Sequence, residues 1–260
     1  MTSNPQDAIL FNIHDGVATI TLNRPERRNA IDSVTRVLLA EAFDEANTDS
    51  RVRVVVLSGT GSTFCAGVDL KEVNADSGDR PHVLLDDPAP LAAPVAGSIK
   101  PVVAAVNGPA VGGGFELALA ADVRIAATTA SFALPEGRIG SIPGSGGTQR
   151  LFQAVPSSIA WKILLTGDPL SAEAAARYGL VSDIYEPEAL AQEAATLAGR
   201  VARLAPLSLR ALKLAGRAAL EGTDGLQLER TLWGFLSTTE DRAEGRAAFR
   251  EKRDPRYKGT

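Results

Sequence analysis

The chain has 260 residues, of which 45% are hydrophobic and 22% are charged, and this composition excludes a collagen, a disordered tail and a disulfide scaffold. The 27 basic and 31 acidic residues give a net charge of −4. Nucleic-acid-binding surfaces usually carry a basic excess, so we expect no nucleic-acid partner. One cysteine and two histidines are too few for most metal sites, and we expect no metal.

The N-terminal residues lack the basic and apolar regions of a secretory signal peptide. The most apolar stretch, from Val102 to Ala121, is interrupted by Asn107, Pro109 and Glu116. We therefore predict that this stretch forms buried core rather than a membrane span. We expect a cytoplasmic protein with no membrane partner, in which the lone Cys65 is a reduced thiol packed like a small hydrophobic residue.

Strand patterns are spread over the first 185 residues. The first two flank His14-Asp15-Gly16, a sequence typical of a hairpin turn. Continuous apolar runs follow, and these are typical of a sheet that is covered on both faces. The predicted strands are Ala8–Ile13, Val17–Leu22, Val52–Leu57, Val102–Val106, Val123–Ala127, Ala130–Ala133 and Leu180–Tyr185.

Helix signals accompany these strands. Asp32 or Ser33 is predicted to cap a first helix, a second helix is predicted to start at Phe115, and Ser171 is predicted to cap a third. From Glu188 to the end the pattern predicts several further helices. The fold class is therefore α/β followed by an all-helical extension.

We predict two regions: an α/β core with the active site over residues 1–195 and a C-terminal helical segment over residues 196–260. Residues 72–98 contain four prolines and four aspartates and are predicted to be irregular. A loop of that length inside a compact domain often forms a lid or the wall of a substrate pocket.

Two glycine-rich segments invite a nucleotide-binding interpretation, which the residues do not support. Neither Gly59-Thr60-Gly61 nor Gly112-Gly113-Gly114 completes the G-x-G-x-x-G motif, because Phe64 and Leu117 stand at the last position. No G-x-x-x-x-G-K-[ST] motif is present either. The sequence therefore predicts neither a dinucleotide fold nor a phosphate-binding loop of the ATPase type.

Two loops run directly into predicted helices, at Phe64–Asp69 and at Val111–Glu116. The first amides of a helix have no partner within the helix, and the helix start carries a partial positive charge. Two such ends that point at one atom would form an oxyanion hole made of two backbone amides. The alternative is that both segments are only tight turns between strand and helix.

Two glutamates are candidates for proton transfer. Glu116 lies between Phe115 and Leu117 in an apolar stretch, and Glu136 follows Leu134-Pro135. Burial of a carboxyl group raises its pKa, which suits proton transfer near neutral pH. The alternatives are an exposed helix position for Glu116 and a loop-capping role for Glu136.

Several separated segments together resemble the enoyl-CoA hydratase/isomerase family, also called the crotonase family. They are residues 22–30, Phe64–Glu72, Lys100–Asp122 and Ser131–Leu151, together with the ending Ala248–Arg253. The motifs occur in the family's order and span nearly the whole chain. The resemblance implies a spiral of β-β-α turns followed by a helical segment used for trimer assembly.

The resemblance also implies functions for particular residues. The oxyanion-hole amides would be those of Ala66 and Gly113, and the catalytic pair would be Glu116 and Glu136. Gly144 matches the glycine whose amide helps to hold the water. The residues implied in substrate and CoA binding are Arg28, Ala30, Ala66, Gly67, Val68, Asp69, Leu70, Gly113, Gly144, Phe249 and Lys252.

Phe249 and Lys252 match a pair that reaches the adenine and the 3′-phosphate of CoA, often across a subunit boundary. Their spacing of three residues would place both on one face of a helix. Coenzyme A is part of the substrate in this family, so no separate cofactor is expected. The expected assembly is a homotrimer or a dimer of trimers.

We expect reversible addition of water to a trans-2-enoyl-CoA, which gives a 3-hydroxyacyl-CoA. The alternatives on the same scaffold are a carnitinyl-CoA-type dehydratase, a Δ3-Δ2 enoyl-CoA isomerase and an acyl-CoA hydrolase. Isomerases generally need only one carboxylate, at the position of Glu136, so the presence of Glu116 favours hydration. A non-catalytic CoA-binding or RNA-binding member is a further alternative.

Overall fold

The computed structural model describes residues 7–69 and 90–260. In this part of the chain a six-stranded sheet has the order β1-β2-β3-β4-β6-β9, and a three-stranded sheet has the order β5-β7-β8. The strands are β1 (Ile9–His14), β2 (Val17–Leu22), β3 (Val54–Gly59), β4 (Val102–Val106), β5 (Ala110–Val111), β6 (Val123–Ala127), β7 (Ser131–Ala133), β8 (Leu170–Ser171) and β9 (Asp183–Tyr185).

Helices connect these strands and form the C-terminal part of the chain. They are α1 (Ser33–Thr48), α2 (Ala93–Gly97), α3 (Gly113–Ala120), α4 (Gly147–Ala154), α5 (Ser157–Thr166), α6 (Ala172–Arg177), α7 (Pro187–Ala202), α8 (Pro206–Leu220), α9 (Gly225–Leu236) and α10 (Glu240–Glu251). Short 3-10 helices occur at Pro25–Arg27 and Glu136–Ile139. The predicted α/β class is confirmed.

The large sheet is buried on both faces at its centre. Val55 and Leu57 of β3 face the main core, whereas Val54 and Val56 face a second cluster against helix α7. Because one face packs on the core and the other is covered by α7, apolar residues are required at consecutive positions. This arrangement explains the continuous apolar runs in the sequence.

The first two strands form the predicted hairpin, with Ile9 opposite Leu22 and His14 opposite Val17. Asp15 and Gly16 have φ angles of +47° and +81°, as a two-residue turn of this type requires. β2 then pairs in parallel with β3, and β3 with β4. Parallel pairing places the carboxyl ends of these strands at one edge of the sheet.

Most predicted elements are confirmed, with a few exceptions. Helix α3 begins at Gly113, two residues before the predicted Phe115, although glycine is a poor helix former. The final strand covers only Asp183–Tyr185 of the predicted Leu180–Tyr185. The segment predicted to be irregular covers residues 72–98. Its residues 72–89 lie outside the described part of the chain, and residues 93–97 form helix α2.

Two predicted helix caps are confirmed. The Asp32 carboxylate accepts a hydrogen bond from the Thr35 amide at 2.8 Å and caps α1. The Ser171 hydroxyl accepts one from the Ala174 amide at 3.3 Å and caps α6. Each cap satisfies one of the amides that a helix start leaves without an internal partner.

The C-terminal helices are tied to the sheet by buried polar contacts. The ammonium group of Lys213 in α8 donates to the Asp122 carboxylate at 2.7 Å and to the Lys100 carbonyl at 2.8 Å. The predicted boundary at residue 195 falls inside helix α7, and residues from both halves of this helix pack on the sheet. The division into a core over residues 1–195 and a helical segment over residues 196–260 stays a prediction.

No helix within residues 7–69 and 90–260 is both long and apolar enough to cross a membrane. In the same ranges, no group of three or more His, Cys, Asp or Glu side chains lies close enough together to hold a metal ion.

Candidate active site

The glycine triplet Gly112-Gly113-Gly114 forms the turn into helix α3, and its three residues have different positions in that turn. Gly112 has a φ angle of +55°, a conformation that side chains other than glycine rarely adopt. Gly113 is the first residue of α3. A Cβ atom on Gly114 would collide with the carbonyl oxygen of Cys65, so only glycine allows this close approach between the two turns.

The facing turn, residues 64–69, is fixed against the triplet by backbone hydrogen bonds. The Val111 amide donates to the Cys65 carbonyl at 2.9 Å. Gly67 has a φ angle of +89°, and a Cβ atom at this position would lie 2.8 Å from the Val111 carbonyl oxygen. The same position lies 3.2 Å from the Gly113 amide nitrogen, so the two predicted loops do meet at Gly67 and Gly113.

The amides at this junction are not equally available. Within the described residues, the amide of Gly113 has no acceptor. The amide of Ala66 donates to the carbonyl of Arg28 at 3.0 Å, so it is occupied by the protein itself. This is a correction to the expectation that Ala66 offers a free donor.

The available amide on this turn belongs to Val68. Residue 68 pairs with Ile31 in a parallel bridge, in which the bonds are made by the Gly67 carbonyl and the Asp69 amide. The Val68 N–H is therefore directed away from Ile31, and no acceptor for it lies within the described residues. A Cβ atom on Gly113 would lie 3.8 Å from the Val68 side chain, which places Val68 beside the Gly113 turn.

Glu116 is buried at the first turn of α3, with 3% of its surface exposed, so the alternative of an exposed helix position is wrong. One carboxylate oxygen, Oε1, accepts hydrogen bonds from the Ser145 amide at 2.6 Å and the Gly147 amide at 2.8 Å. Gly147 is the first residue of α4, so this oxygen lies at a helix N-terminus. The second oxygen, Oε2, has no donor within the described residues and is free to bind another group.

Glu136 has a different environment. It begins a short 3-10 helix, and a Cβ atom on Gly112 would lie 3.1 Å from its Oε1 atom. Its Oε2 atom is buried without a hydrogen-bond partner in the described part of the chain. Burial, and to a lesser degree the negative charge of Glu116, raise the pKa of Glu136 above 4.5. The two glutamates are thus electrostatically coupled but differently solvated.

The segment before α1 supports the turn at 64–69. Asn29 is buried in a left-handed conformation with φ of +55°, and its side-chain amide donates to the carbonyls of Thr60 and Thr63. Arg24 donates to the Ala30 carbonyl at 2.6 Å and pairs with Asp32. Arg28 itself is exposed and Ala30 half-buried beside this turn.

Cys65 is buried, as predicted, and its thiol donates to the Asn29 carbonyl at 3.1 Å. Burial raises the pKa of this thiol to about 12, so it remains protonated near neutral pH. Cys65 therefore packs the turn rather than acting as a nucleophile.

Three further residues predicted to bind substrate or CoA are Gly144, Leu70 and Phe249. Gly144 is exposed and adjacent to the Ser145 amide that holds Glu116. Leu70 lies outside the described residues. Phe249 is 86% exposed at the end of α10. It lines a cleft together with Ala205, Ser208 and Arg246, and neither Glu116 nor Glu136 lines this cleft.

Lys252 does not share a helix face with Phe249, as the spacing had suggested. It caps the C-terminus of α10 in the left-handed conformation, with φ of +54° and ψ of +42°. This conformation ends the helix, so its side chain leaves the helical register. The predicted contact of both residues with CoA stays a prediction.

Three residues of the site escaped sequence analysis: Ser145, Gly147 and Arg150. Ser145 and Gly147 hold Glu116 through their amides, and Arg150 donates to the Ser145 carbonyl at 2.8 Å. The available signal was the glycine-rich segment at residues 144–147 immediately before a helix, which is typical of an anion-binding turn.

We predict that Glu136→Gln stabilises the protein at neutral pH. The native state binds a proton at Glu136 more tightly than the unfolded chain does, so its stabilising contribution at low pH is lost as the pH rises. A neutral amide removes that loss, so the melting temperature at pH 7.5 should rise. The gain should shrink as the pH falls toward 4.5.

Glu116→Gln is the matched control for this measurement. It replaces a charged acceptor of two amide hydrogen bonds with a weaker neutral one, so it should lower the melting temperature. Equal shifts in the two variants would contradict the different environments assigned to the two carboxyl groups. Calorimetry at several pH values measures both shifts.

Comparisons with known proteins identify the family of the chain. The family model for enoyl-CoA hydratase/isomerase matches residues 12–260. The chain is 44% identical to (E)-benzylidenesuccinyl-CoA hydratase of Thauera aromatica, over 96% of this chain and 99% of that protein. It is 42% identical to 2,3-dehydroadipyl-CoA hydratase of Escherichia coli, over 94% and 95% of the two chains.

It is also 41% identical to carnitinyl-CoA dehydratase of Citrobacter koseri, over 97% of this chain and 99% of that protein. Among solved structures, an enoyl-CoA hydratase from Mycobacterium tuberculosis superposes with a TM-score of 0.89 at 34% identity, over 97% and 99% of the two chains. The crotonase-type fold expected from the sequence is confirmed. Since the family model covers residues 12–260 and these relatives match over nearly the whole chain, the chain belongs to the enoyl-CoA hydratase/isomerase family.

Proposed function

We propose that this protein is a hydro-lyase that adds water reversibly to a trans-2-enoyl-CoA and gives a 3-hydroxyacyl-CoA. The observation that carries the proposal is the pair of carboxyl groups, Glu116 and Glu136, beside a backbone amide that has no acceptor within the described residues. An addition of water needs a group that takes a proton from water and a group that gives a proton to carbon. The two environments suit these two tasks.

The thioester oxygen is proposed to lie between the amides of Gly113 and Val68. Both N–H groups lack acceptors in the described part of the chain, and both belong to the junction of the two turns. Hydrogen bonds to the thioester oxygen draw electrons away from the double bond, so the β-carbon becomes electrophilic and the developing enolate is stabilised. The donor predicted at Ala66 is replaced by Val68 in this proposal.

Glu116 is proposed to hold the attacking water through Oε2, because its other oxygen is fixed by two amides. As the water oxygen bonds to the β-carbon, one of its protons passes to Glu116. The double-bond electrons move to the α-carbon, where Glu136 delivers a proton. Burial keeps a larger fraction of Glu136 protonated, as a proton donor requires.

The acyl group is proposed to carry a second functional group. The relatives at 41–44% identity are named for benzylidenesuccinyl-CoA, 2,3-dehydroadipyl-CoA and carnitinyl-CoA, and the first two acyl groups contain a second carboxylate. The name carnitinyl-CoA dehydratase favours a second candidate function, that of a dehydratase that catalyses the same reaction in the reverse direction. No cofactor beyond the CoA of the substrate is required, and we propose that the enzyme works in the cytoplasm.

The C-terminal helices are proposed to form a homotrimer or a dimer of trimers. Several of their large apolar side chains are more than half exposed: Leu212, Leu220, Leu226, Trp233, Phe235 and Phe249. Apolar surface of this extent usually marks an interaction site. Assembly would also allow Phe249 and Lys252 of one subunit to reach the CoA bound to its neighbour.

We predict that Glu116→Gln and Glu136→Gln each lower kcat for hydration by about 10²–10⁴-fold, the usual contribution of a positioned acid or base. The double variant should lose much less than the product of the two factors, because both groups act on one bound water and one substrate. Turnover should be measured on enoyl-CoAs of four to sixteen carbons, on 2-enoyl-CoAs that end in a carboxylate, and on carnitinyl-CoA and 3-enoyl-CoAs.

The panel separates the alternatives. Turnover of 3-enoyl-CoA that survives Glu116→Gln but not Glu136→Gln would replace the hydratase proposal with an isomerase. Release of free CoA would indicate a hydrolase. An absence of turnover on every thioester, with CoA still bound, would support a non-catalytic member.

We predict that light scattering gives a mass of three or six chains. Trp233→Glu combined with Phe235→Glu should shift the protein toward monomers, because two charges would have to be buried in the interface. His14→Glu in the exposed hairpin is the control and should leave the mass unchanged. A monomeric wild-type protein would contradict the proposed assembly.

A further inference from the structure

Arg150 is a half-buried cation beside the site, and none of the functions above uses it. It lies in helix α4, one turn after Gly147. No carboxylate lies within ion-pair distance of its guanidinium among residues 7–69 and 90–260. Its Nη1 atom donates instead to the Ser145 carbonyl oxygen at 2.8 Å. A half-buried guanidinium that binds a carbonyl rather than a carboxylate calls for an explanation beyond charge neutralisation.

The Ser145 carbonyl has a special place in the loop. It lies between the two amides that hold Glu116, those of Ser145 at 2.6 Å and Gly147 at 2.8 Å. A rotation of the peptide after Ser145 would displace the Gly147 amide from the carboxylate oxygen. The hydrogen bond from Arg150 to the Ser145 carbonyl opposes that rotation.

Gly146 lies against this arginine in the loop. It adopts a φ angle of +97°, and a Cβ atom at this position would collide with the guanidinium group of Arg150. The glycine therefore provides both the left-handed turn and the space that Arg150 occupies. The Arg150 backbone amide also donates to the Gly146 carbonyl at 2.9 Å, so the residue contacts the loop through backbone and side chain.

Arg150 also interacts electrostatically with Glu116. Burial lowers the pKa of the Arg150 guanidinium, whereas the negative charge of Glu116 acts in the opposite direction. The two charges therefore interact across the loop that separates them.

We propose that Arg150 is a positioning residue that holds the Ser145–Gly147 loop, so that both amides bind one oxygen of Glu116 and the other oxygen stays directed at the water. The expected effect of Arg150 on turnover rests on the hydratase function proposed above. Its expected effect on the two amide hydrogen bonds does not depend on that function.

Three variants test this function. Arg150→Met removes the donor and the charge at similar length, and Arg150→Lys keeps a charge and one donor. Arg53→Met is the matched control, because Arg53 also donates to a backbone carbonyl, that of Tyr257 at 3.3 Å, next to the start of β3. Melting temperatures of all three identify any variant that fails to fold.

Arg150→Met should lower kcat for hydration by about 10- to 100-fold, the cost of a small misplacement of a reacting group, with KM changed less than about twofold. Arg150→Lys should recover most of that loss, and Arg53→Met should lose nothing. In the Glu116→Gln background, Arg150→Met should have little further effect. An equal loss in both backgrounds would show that Arg150 does not act through Glu116 and would overturn the proposal.

Amide resonances supply a readout that does not depend on activity. Short hydrogen bonds to a carboxylate should shift the Ser145 and Gly147 amide protons downfield. Both resonances should move upfield in Arg150→Met and in Glu116→Gln, but not in Arg53→Met. If the wild type hydrates none of the thioesters, the proposed function fails, and these shifts still decide the role of Arg150. Resonances that stay unchanged in Arg150→Met would overturn it.

Discussion

The site depends on the close approach of two backbone turns, and steric contact at a few glycines is what permits it. A Cβ atom on Gly114 would collide with the Cys65 carbonyl, and one on Gly67 would press on the Val111 carbonyl at 2.8 Å. Backbone atoms cannot move aside as a flexible side chain can, so any larger residue would separate the turns. Their separation would remove the Gly113 amide from the Gly67–Val68 peptide, and with it the proposed oxyanion hole.

The two carboxyl groups illustrate how the neighbouring backbone gives identical side chains different environments. Glu116 has two amide donors on one oxygen and a helix N-terminus beside it. Glu136 has a buried oxygen without a partner among the described residues, and its pKa is raised. An unsatisfied buried carboxyl group costs stability, and such costs are found where a site needs a group poised to exchange a proton.

Much of this arrangement is predictable from sequence. Strands β2, β4 and β6 end where their apolar patterns end, and the glycine triplet and both glutamates are visible as unusual residues in an apolar context. The direction of a backbone amide is not visible in this way. Ala66 and Val68 are both small or apolar, and only the bridge between Val68 and Ile31 determines which N–H is free.

The function of Arg150 was hidden for a related reason. In the sequence it is a single arginine on an amphipathic helix, and its proposed importance arises from a contact with the Ser145 carbonyl. Long-range backbone contacts of this kind depend on the register of the assembled fold rather than on residue type. The helical extension shows the same limit, because Lys252 leaves the helix at a left-handed cap that its spacing from Phe249 does not reveal.

The most direct test of the account is the polarisation of a bound thioester when single amides are deleted. Amide-to-ester replacement at Gly113, Val68 and Ala66 removes one N–H each and leaves every side chain in place. In the Glu116→Gln background, which is expected to slow turnover, a bound enoyl-CoA with an extended conjugated acyl group should absorb at longer wavelength than it does in water.

The account predicts that this red shift falls in the Gly113 and Val68 esters. It should persist in the Ala66 ester, whose N–H is used by the Arg28 carbonyl. A red shift that is lost with the Ala66 ester and kept with the Val68 ester would contradict the account.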